Sequence, residues 1–222
     1  VATMMPKPIS MDAGSGMHTN VSLWKKDENT FYDKDADLEL SQIGRYFCGG
    51  VMEHAKGLTA ITNPTTNSYH RLVPGYEAPV YIAWSSSNRS ATIRIPGHFK
   101  GEKYAFMKRM EYRVPDPASN PYLVFSAVLA AGLDGIKKKI EPGDPVKEDI
   151  YKMTKSERKK HGIDTLPANL GRALDELESD RKYLNPIFSN DVLDKIIELE
   201  RRDHREIAIR PHPHEFYLYF DV

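Results

Sequence analysis

Residues 108–114 read Lys-Arg-Met-Glu-Tyr-Arg-Val, and this stretch decides the fold class. Its apolar residues, Met110, Tyr112 and Val114, alternate with charged residues. A period of two predicts a β-strand with two different faces. Residues 17–24 and 91–95 alternate in the same way, which is typical of antiparallel strands. Short apolar runs predict two further strands, at 79–84 and at 1–5.

Helical periodicity predicts the elements that pack against these strands. Apolar residues in 38–55 recur at helical spacing, and Gly57 is expected to end that helix. Residues 122–139 carry a stripe rich in leucine, valine and alanine, which predicts a second helix. Further helices are predicted at 166–177 and 191–205. The residues therefore indicate a mixed α and β domain.

The composition limits the class of protein. With 222 residues and 40% hydrophobic residues, the chain can build a core of one large or two small domains. The formal net charge is zero, which argues against a general nucleic-acid binder. No apolar run approaches the roughly 18 residues of a membrane span. The single cysteine, Cys48, excludes an internal disulfide, so we expect a buried, inert thiol and a cytoplasmic setting.

The strand at 109–113 places a carboxylate between two guanidinium groups. Alternate residues of a strand lie about 6.5–7 Å apart on one face, so Glu111 lies between its two arginine neighbours. This pattern fits an exposed face of ion pairs, and it also fits a metal-ligating carboxylate among phosphate-binding arginines. Five arginines are predicted on strands or loops: Arg71, Arg89, Arg94, Arg109 and Arg113. Few acidic residues lie near these arginines in the sequence, so a bound anion would supply the missing negative charge.

Two histidine motifs are candidate binding sites. His18 follows a glycine turn at 14–17, where a ligand could approach the backbone closely. That turn is not a P-loop, because it lacks the Gly-Lys-Ser/Thr ending. His212 and His214 alternate with prolines in a segment expected to be rigid and extended, which favours packing or an interface over metal binding. The residues alone thus indicate an arginine-rich site for an anion, with or without a metal.

Several strings follow one another in order along nearly the whole chain. The first are Met-Pro-Lys-Pro at 5–8 and Gly-Ser-Gly-Met-His at 14–18. The others are Asn-Pro-Thr-Thr-Asn-Ser-Tyr (63–69), Arg-Leu-Val-Pro-Gly-Tyr-Glu-Ala-Pro (71–79), Asn-Arg-Ser (88–90), Ile-Arg-Ile-Pro (93–96), Glu-Tyr-Arg-Val-Pro-Asp-Pro (111–117), Asn-Pro-Tyr (120–122), Ala-Gly-Leu-Asp-Gly-Ile (131–136) and His-Glu-Phe-Tyr-Leu-Tyr-Phe (214–220). Together these strings resemble motifs of the class I glutamine synthetases.

This resemblance implies a fold and an assembly. The fold class would be α+β, a curved and mainly antiparallel sheet backed by helices. Residues 1–222 would be the C-terminal portion of the catalytic domain, with a β-grasp domain and the first part of the catalytic domain upstream. The family forms six-membered rings that stack as dodecamers. The apolar tail at 216–220 would then be an inter-ring clasp, or otherwise an ordinary terminal strand.

The resemblance also implies an activity. A glutamine synthetase joins ammonia to glutamate with ATP as co-substrate, through γ-glutamyl phosphate and with Mg²⁺ or Mn²⁺. Under this reading the full-length parent is a ligase and the present segment alone is expected to be inactive. Two alternatives stay open: a γ-glutamyl-amine ligase that uses an alkylamine or a polyamine, and a non-catalytic scaffold of the same fold.

Residue roles carried over from the family begin with the metal and with glutamate. His18 and Glu111 would ligate the metal that bridges the ATP phosphates. Gly14 and Arg71 would hold the amino-acid end of glutamate, and Arg113 would hold its reacting carboxylate.

The remaining implied roles concern the nucleotide and the flap. Arg89 would contact the transferred phosphoryl group, and Glu77 would lie on a flap over glutamate, where it excludes water and attracts ammonium. The residues implied for ATP are Asn20, Ser22, Arg89, Arg94 and Arg109.

Three departures from the family pattern bear on these expectations. Ala13 stands where the family has an asparagine on the glutamate loop. The remaining metal carboxylates of the family come from segments upstream of Val1. Tyr151 falls near a tyrosine that some bacterial members modify with AMP, but the Lys-Met-Thr-Lys that follows it differs from their context, so no adenylylation is expected.

Overall fold

The structure is a computed structural model that describes residues 2–74, 78–97 and 100–222. Its central element is an open sheet with the strand order β1-β6-β5-β4-β7. Strands β4 and β5 pair in parallel, and the other pairings are antiparallel, as the sequence predicted for the sheet as a whole. A separate hairpin joins β2 to β3. The strands are β1 (Thr19–Val21), β2 (Trp24–Lys25), β3 (Glu28–Asn29), β4 (Tyr81–Ser85), β5 (Ala91–Arg94), β6 (Met110–Tyr112) and β7 (Asp164–Thr165).

Strand β6 is at the position that organises the site. Its register places Glu111 opposite Asn20 of β1 on one side and opposite Arg94 of β5 on the other. Met110 and Tyr112 point into the core and are fully buried. The charged face is buried as well, since Glu111 is only 4% exposed. The face that alternation predicted to be polar is therefore shielded from solvent at Glu111, while the Arg94 side chain on the neighbouring strand is 35% exposed.

Helices back this sheet, and side chains cap several of them. Ser41 accepts a hydrogen bond from the Gly44 backbone N–H at the start of α1, and Asn120 accepts one from Tyr122 at the start of α4. Pro121 occupies the first turn of α4, where no backbone donor is needed. The helices are α1 (Gln42–Glu53), α2 (Ala55–Thr62), α3 (Thr66–Arg71), α4 (Pro121–Lys138), α5 (Lys155–Lys160), α6 (Leu170–Ser179), α7 (Asn190–Ala208) and α8 (Pro213–Tyr219).

One predicted helix and its stop signal were wrong. The apolar pattern at 38–55 predicted a single helix, but α1 begins only at Gln42 and a break at His54 separates it from α2. Gly57 lies inside α2 and does not end a helix. A Cβ atom on Gly57 would lie 3.3 Å from the Leu177 Cα atom of α6, so the glycine serves close helix packing.

Both chain ends also differ from expectation. Residues 2–5 form no strand. Residues 216–220 form no terminal strand either, because the tail is the exposed helix α8. His212 is the N-cap of that helix and accepts a hydrogen bond from the His214 backbone N–H, so the expected extended segment is a helix start.

Cys48 matches its prediction. The side chain lies in α1, is fully buried and is not in a disulfide. Burial raises the pKa of its thiol to about 12, so the reactive thiolate is absent at neutral pH. In the described ranges, every helix falls short of the length and apolar character that crossing a bilayer demands.

A half-buried glutamate on α7, with one carboxyl oxygen shielded from solvent and without a hydrogen-bond partner, leads to a prediction about stability. Burial raises the pKa of Glu200 to about 9, and the nearby Asp203 charge adds to this. The unfolded carboxyl ionises near pH 4.5 while the folded one holds its proton up to about pH 9. Its stabilising contribution is therefore complete below pH 4.5 and decreases as the pH rises towards 9. Glu200→Gln, which stays neutral, should raise the free energy of unfolding at pH 8 by about 1–3 kcal/mol.

Urea unfolding at pH 5 and pH 8 measures this effect. The control is Glu198→Gln, an exposed carboxylate on the same helix that pairs with Lys195. Its stability should follow the pH dependence of the unmodified protein. A Glu200→Gln protein whose stability still falls between pH 5 and pH 8 by the same amount would contradict the assignment.

Candidate active site

The glycine turn that precedes β1 is held against two other segments. The Ser15 N–H donates to the Pro6 carbonyl at 2.8 Å, and the Met17 N–H donates to the Pro115 carbonyl at 2.8 Å. A Cβ atom on Gly16 would lie 2.6 Å from a guanidinium nitrogen of Arg71. A side chain at this position would therefore displace the arginine, and the turn can pack on Arg71 only because Gly16 has none.

Three charged or ionisable side chains meet at Glu111. One carboxylate oxygen lies 3.1 Å from His18 Nδ1 and 3.0 Å from Arg113 Nη1, and the other lies 2.5 Å from Arg94 Nη2. Arg94 lies on β5, Arg113 directly follows β6 and His18 directly precedes β1. The predicted pairing of Glu111 with Arg113 is present. Arg109, its other predicted neighbour, donates instead to Asn20 Oδ1 at 2.9 Å and to the Met107 carbonyl at 3.0 Å.

The charges of this cluster alter the titration of its members. Burial lowers the pKa of His18, Arg113 lowers it further, and Glu111 opposes both. The imidazole is therefore neutral at neutral pH, which is the form that binds metals. Burial also lowers the pKa of Arg113, Glu111 raises it, and the charges of Arg94 and Arg89 add to the lowering. Arg113 remains a cation, because arginine does not lose its proton in proteins.

Arg71 lies elsewhere than the sequence suggested. It was placed on a strand or loop, but it is the last residue of α3, a short helix that Thr65 and Ser68 start with a capping box. Its guanidinium is buried and donates to the carbonyls of Val114 at 2.7 Å and Arg113 at 3.1 Å. Backbone carbonyls therefore accept hydrogen bonds from the Arg71 guanidinium, for which the sequence predicted a bound anion.

A cavity of about 510 Å³ opens beside this cluster. Three cationic side chains, of Lys7, Arg71 and Arg113, lie on its wall together with the carboxylate of Asp12. A small molecule with carboxylate groups matches this charge pattern, because arginines bind carboxylates with paired hydrogen bonds. The remaining lining residues are Met11, Ala13, Gly14, Gly16, His18 and Ala78.

Arg89 lies outside the cavity that Arg71 and Arg113 line. It lines a second cavity of about 500 Å³ with Asn88 and Tyr151, among others. Asn88 ties this loop to the next segment, since its amide donates to the Glu148 carbonyl at 2.8 Å. The positive charge of Arg89 acts on Arg113, so Arg89 lies near the Glu111 cluster and influences it through its charge.

The remaining predicted residues lie at the edge of the site or outside the described ranges. Asn20 is exposed on β1, where it accepts the Arg109 hydrogen bond. Ser22 follows β1 and accepts a hydrogen bond from Trp24 Nε1 at 2.9 Å. Glu77 falls outside the described residues.

The donor set for a metal is partial. Neutral His18 and the carboxylate of Glu111 suit Mn²⁺ as well as Mg²⁺. Across the described ranges, no group of three histidine, cysteine, aspartate or glutamate residues is placed to hold a metal ion. Two donors fit part of an octahedral coordination shell, and further ligands would be needed to complete it.

Comparison with known proteins identifies the family. A family profile described as "Glutamine synthetase, catalytic domain" matches residues 1–219. The chain belongs to the glutamine synthetase family. The resemblance inferred from the motifs is confirmed.

Individual relatives agree with this assignment. The glutamine synthetase of Sulfolobus acidocaldarius is 56% identical over 223 residues, which cover 100% of this chain and 47% of that protein. The glutamine synthetase of Archaeoglobus fulgidus is 48% identical over 225 residues, or 100% of this chain and 45% of that one. The chain therefore spans about half the length of the curated relatives it matches.

Solved structures support the α+β fold. A structure described as a GmaS/ADP complex has a TM-score of 0.85 and 36% identity, and the match covers 99% of this chain and 49% of that one. A structure of GmaS without ligand has a TM-score of 0.81 and 35% identity, with coverage of 99% and 48%.

Proposed function

We propose that the full-length protein joins ammonia to glutamate at the expense of ATP, and that residues 1–222 are the C-terminal portion of its catalytic domain. The observation that carries this proposal is the cluster of His18, Arg94 and Arg113 around the buried Glu111. It lies beside a cationic cavity, in a chain that is 56% identical to a glutamine synthetase.

Glutamate would bind in the cavity beside the glycine turn. Arg71 and Gly14 would hold its amino-acid end, and Arg113 would face the carboxylate that reacts. Arg113 is tied to Glu111 at 3.0 Å, so its guanidinium is already oriented when the substrate enters. Such preorganisation avoids the entropy cost of fixing a long side chain during binding.

Phosphoryl transfer would take place between the two cavities. The reaction gives γ-glutamyl phosphate, and its negative charge has to be stabilised by fixed cations. Arg89 would contact the transferred group, and Arg94 and Arg109 would contact the nucleotide phosphates. Asn20 and Ser22 would contact the nucleotide itself. Glu77 would cover the intermediate and attract ammonium.

His18 and Glu111 would hold a divalent cation, Mg²⁺ or Mn²⁺. When bound, such an ion neutralises phosphate charge and fixes the orientation of the phosphates. His18 would contribute a neutral nitrogen, because its pKa is lowered by burial. Glu111 would contribute an oxygen while its contacts with Arg94 and Arg113 keep the carboxylate in place.

The protein is proposed to assemble as a dodecamer of two six-membered rings. The exposed tail helix α8 supports this. Phe216 is 61% exposed and Phe220 is 79% exposed, which is unusual for residues that are not covered by a partner. Helix α8 would clasp the opposite ring.

A γ-glutamyl-amine ligase is the second candidate. Ala13 lines the glutamate cavity and offers no polar side chain there. The wall at this position therefore holds a methyl group where an amide would be expected in the family.

ADP release by the full-length protein tests these candidates. The assay contains ATP, Mg²⁺ and glutamate, with ammonium, methylamine or a diamine as the second substrate. We expect the fastest turnover with ammonium. Preference for a larger amine would assign the protein to the γ-glutamyl-amine ligases. Absence of turnover with any of the amines would favour the scaffold.

A further inference from the structure

A group of buried polar side chains lies behind the glutamate cavity. Asn63 and Asp116 are both fully buried, and the Asn63 amide donates to Asp116 Oδ2 at 2.9 Å. The same amide group donates to the Val114 carbonyl at 2.9 Å, and Thr62 Oγ1 donates to Asn63 Oδ1 at 2.7 Å. All hydrogen-bonding groups of the Asn63 side chain are therefore engaged inside the protein, which fixes its orientation.

This group contacts the backbone that holds Arg71. The Val114 carbonyl accepts from Arg71 Nη1 at 2.7 Å as well as from Asn63, and the Arg113 carbonyl accepts from Arg71 Nη2. Asp116 fixes the chain just beyond, since its N–H donates to the Thr62 carbonyl and its Oδ1 accepts from the Ala118 N–H. The position of the Arg71 guanidinium therefore depends on Asn63 and Asp116.

The charge of Asp116 acts in the same direction. Burial has the largest effect and raises the pKa of Asp116, and hydrogen bonds from Ser68, Asn63 and Ala118 together with the positive charge of Arg71 offset only part of this rise. Those donors and Arg71 all stabilise the ionised carboxylate. An anion in this position attracts Arg71 towards the 113–116 segment and away from other orientations in the cavity.

We infer that Asn63 and Asp116 are positioning residues for Arg71, and thereby determine how tightly the amino-acid substrate binds. The inference rests on the proposed function, in which Arg71 holds the amino-acid end of glutamate. In the described part of the chain, neither residue hydrogen-bonds to Arg94, Arg109 or Asn20, which are proposed for the nucleotide. A change at Asn63 or Asp116 should therefore affect glutamate far more than ATP.

Steady-state kinetics of the full-length enzyme test this difference. Asp116→Asn and Asn63→Ser should each raise the KM for glutamate about tenfold, the effect of losing one hydrogen bond that involves a charged group. The KM for ATP should stay within about twofold. Two variants are used so that one remains informative if the other fails to fold, which a thermal melt of each protein reports.

Ser119→Ala is the matched control. Ser119 is buried in the same turn, and its hydroxyl donates to the Asp116 carbonyl at 2.6 Å, so the control also removes a buried hydrogen bond. The Ser119 hydroxyl donates to the Asp116 carbonyl and not to the carbonyls of Val114 and Arg113, which accept from Arg71. This variant should lower Tm and leave both KM values unchanged.

Two results overturn the inference, and they can be told apart. If the unmodified enzyme releases ADP in a glutamate-dependent way while the folded variants keep its glutamate KM, or raise both KM values equally, the positioning role is wrong and the proposed function stands. If the unmodified enzyme shows no glutamate-dependent ADP release, the proposed function fails and this inference fails with it.

Discussion

Replacing Glu111 with glutamine in the full-length enzyme should reduce kcat by about 10²- to 10³-fold, as expected when a preorganised charge is removed from a phosphoryl-transfer site. Glu111 is the carboxylate that Arg94, Arg113 and His18 share. Glutamine has nearly the same shape but no charge, and its amide NH₂ would face another donor. The arginines would lose their fixed orientation, and the proposed metal would lose a ligand.

The same change should also destabilise the protein. Breaking a fully buried ion pair costs about 3–5 kcal/mol, and we expect about 1–3 kcal/mol here because the Arg94 side chain is 35% exposed. The side-chain oxygen of glutamine also remains a hydrogen-bond acceptor, which reduces the loss.

The activity of the Glu111→Gln enzyme should be measured as a function of Mg²⁺ concentration, because loss of a metal ligand raises the Mg²⁺ concentration that gives the half-maximal rate.

The control for Glu111→Gln is Glu53→Gln. Glu53 is the last residue of α1 and is exposed, so the same chemical change occurs on a helix that supplies no residue to the cluster. Its kcat and Mg²⁺ dependence should match the unmodified enzyme. A Glu111→Gln enzyme with more than half of the normal kcat at saturating Mg²⁺ would remove Glu111 from the proposed mechanism.

The sheet was predictable because its signal is local. Alternation in 91–95 and 108–114 gave strands β5 and β6, and the apolar run at 79–84 gave β4. The pairing register was not predictable in the same way. The position of Arg94 opposite Glu111 depends on contacts between residues distant in the chain, and a period of two does not encode them.

Errors in the helices have a common cause. Helical periodicity reports which residues are apolar, and it does not report how closely two helices approach. Gly57 was taken as a helix end, because glycine often follows one. Its actual environment is the backbone of α6, a tertiary contact that no window around residue 57 reveals.

The site was predicted in part. Glu111 with Arg113 followed from strand geometry, whereas His18 was joined to them only through the family resemblance. Asn63 and Asp116 were not recognised, because both lie in strings that look like loops. The available signal was that each of these residues directly precedes a proline. Asparagine or aspartate before proline is typical of a turn, and such a turn can be buried when the Asn or Asp side chain accepts a hydrogen bond from the turn backbone.

Replacing Gly50 with alanine should lower the free energy of unfolding by about 3 kcal/mol or more, at the upper end of what overpacking a core costs. Helices α1 and α4 meet through glycines. A Cβ atom on Gly50 would lie 2.2 Å from the Ala131 carbonyl oxygen and 2.6 Å from the Gly135 Cα atom. Both are backbone atoms, so the clash can be relieved only by moving a whole helix.

Gly57→Ala is the matched control for that change, since Gly57 also lies within a helix and is buried. The nearest atom to its Cβ would be 3.3 Å away, and alanine favours a helix over glycine by about 1 kcal/mol, so the two effects should nearly cancel. Urea unfolding followed by circular dichroism compares the two variants. Equal midpoints would show that α1 and α4 can separate without cost, which would contradict the packing described here. A selective loss in Gly50→Ala would establish that this helix contact determines the stability of the layer behind the sheet.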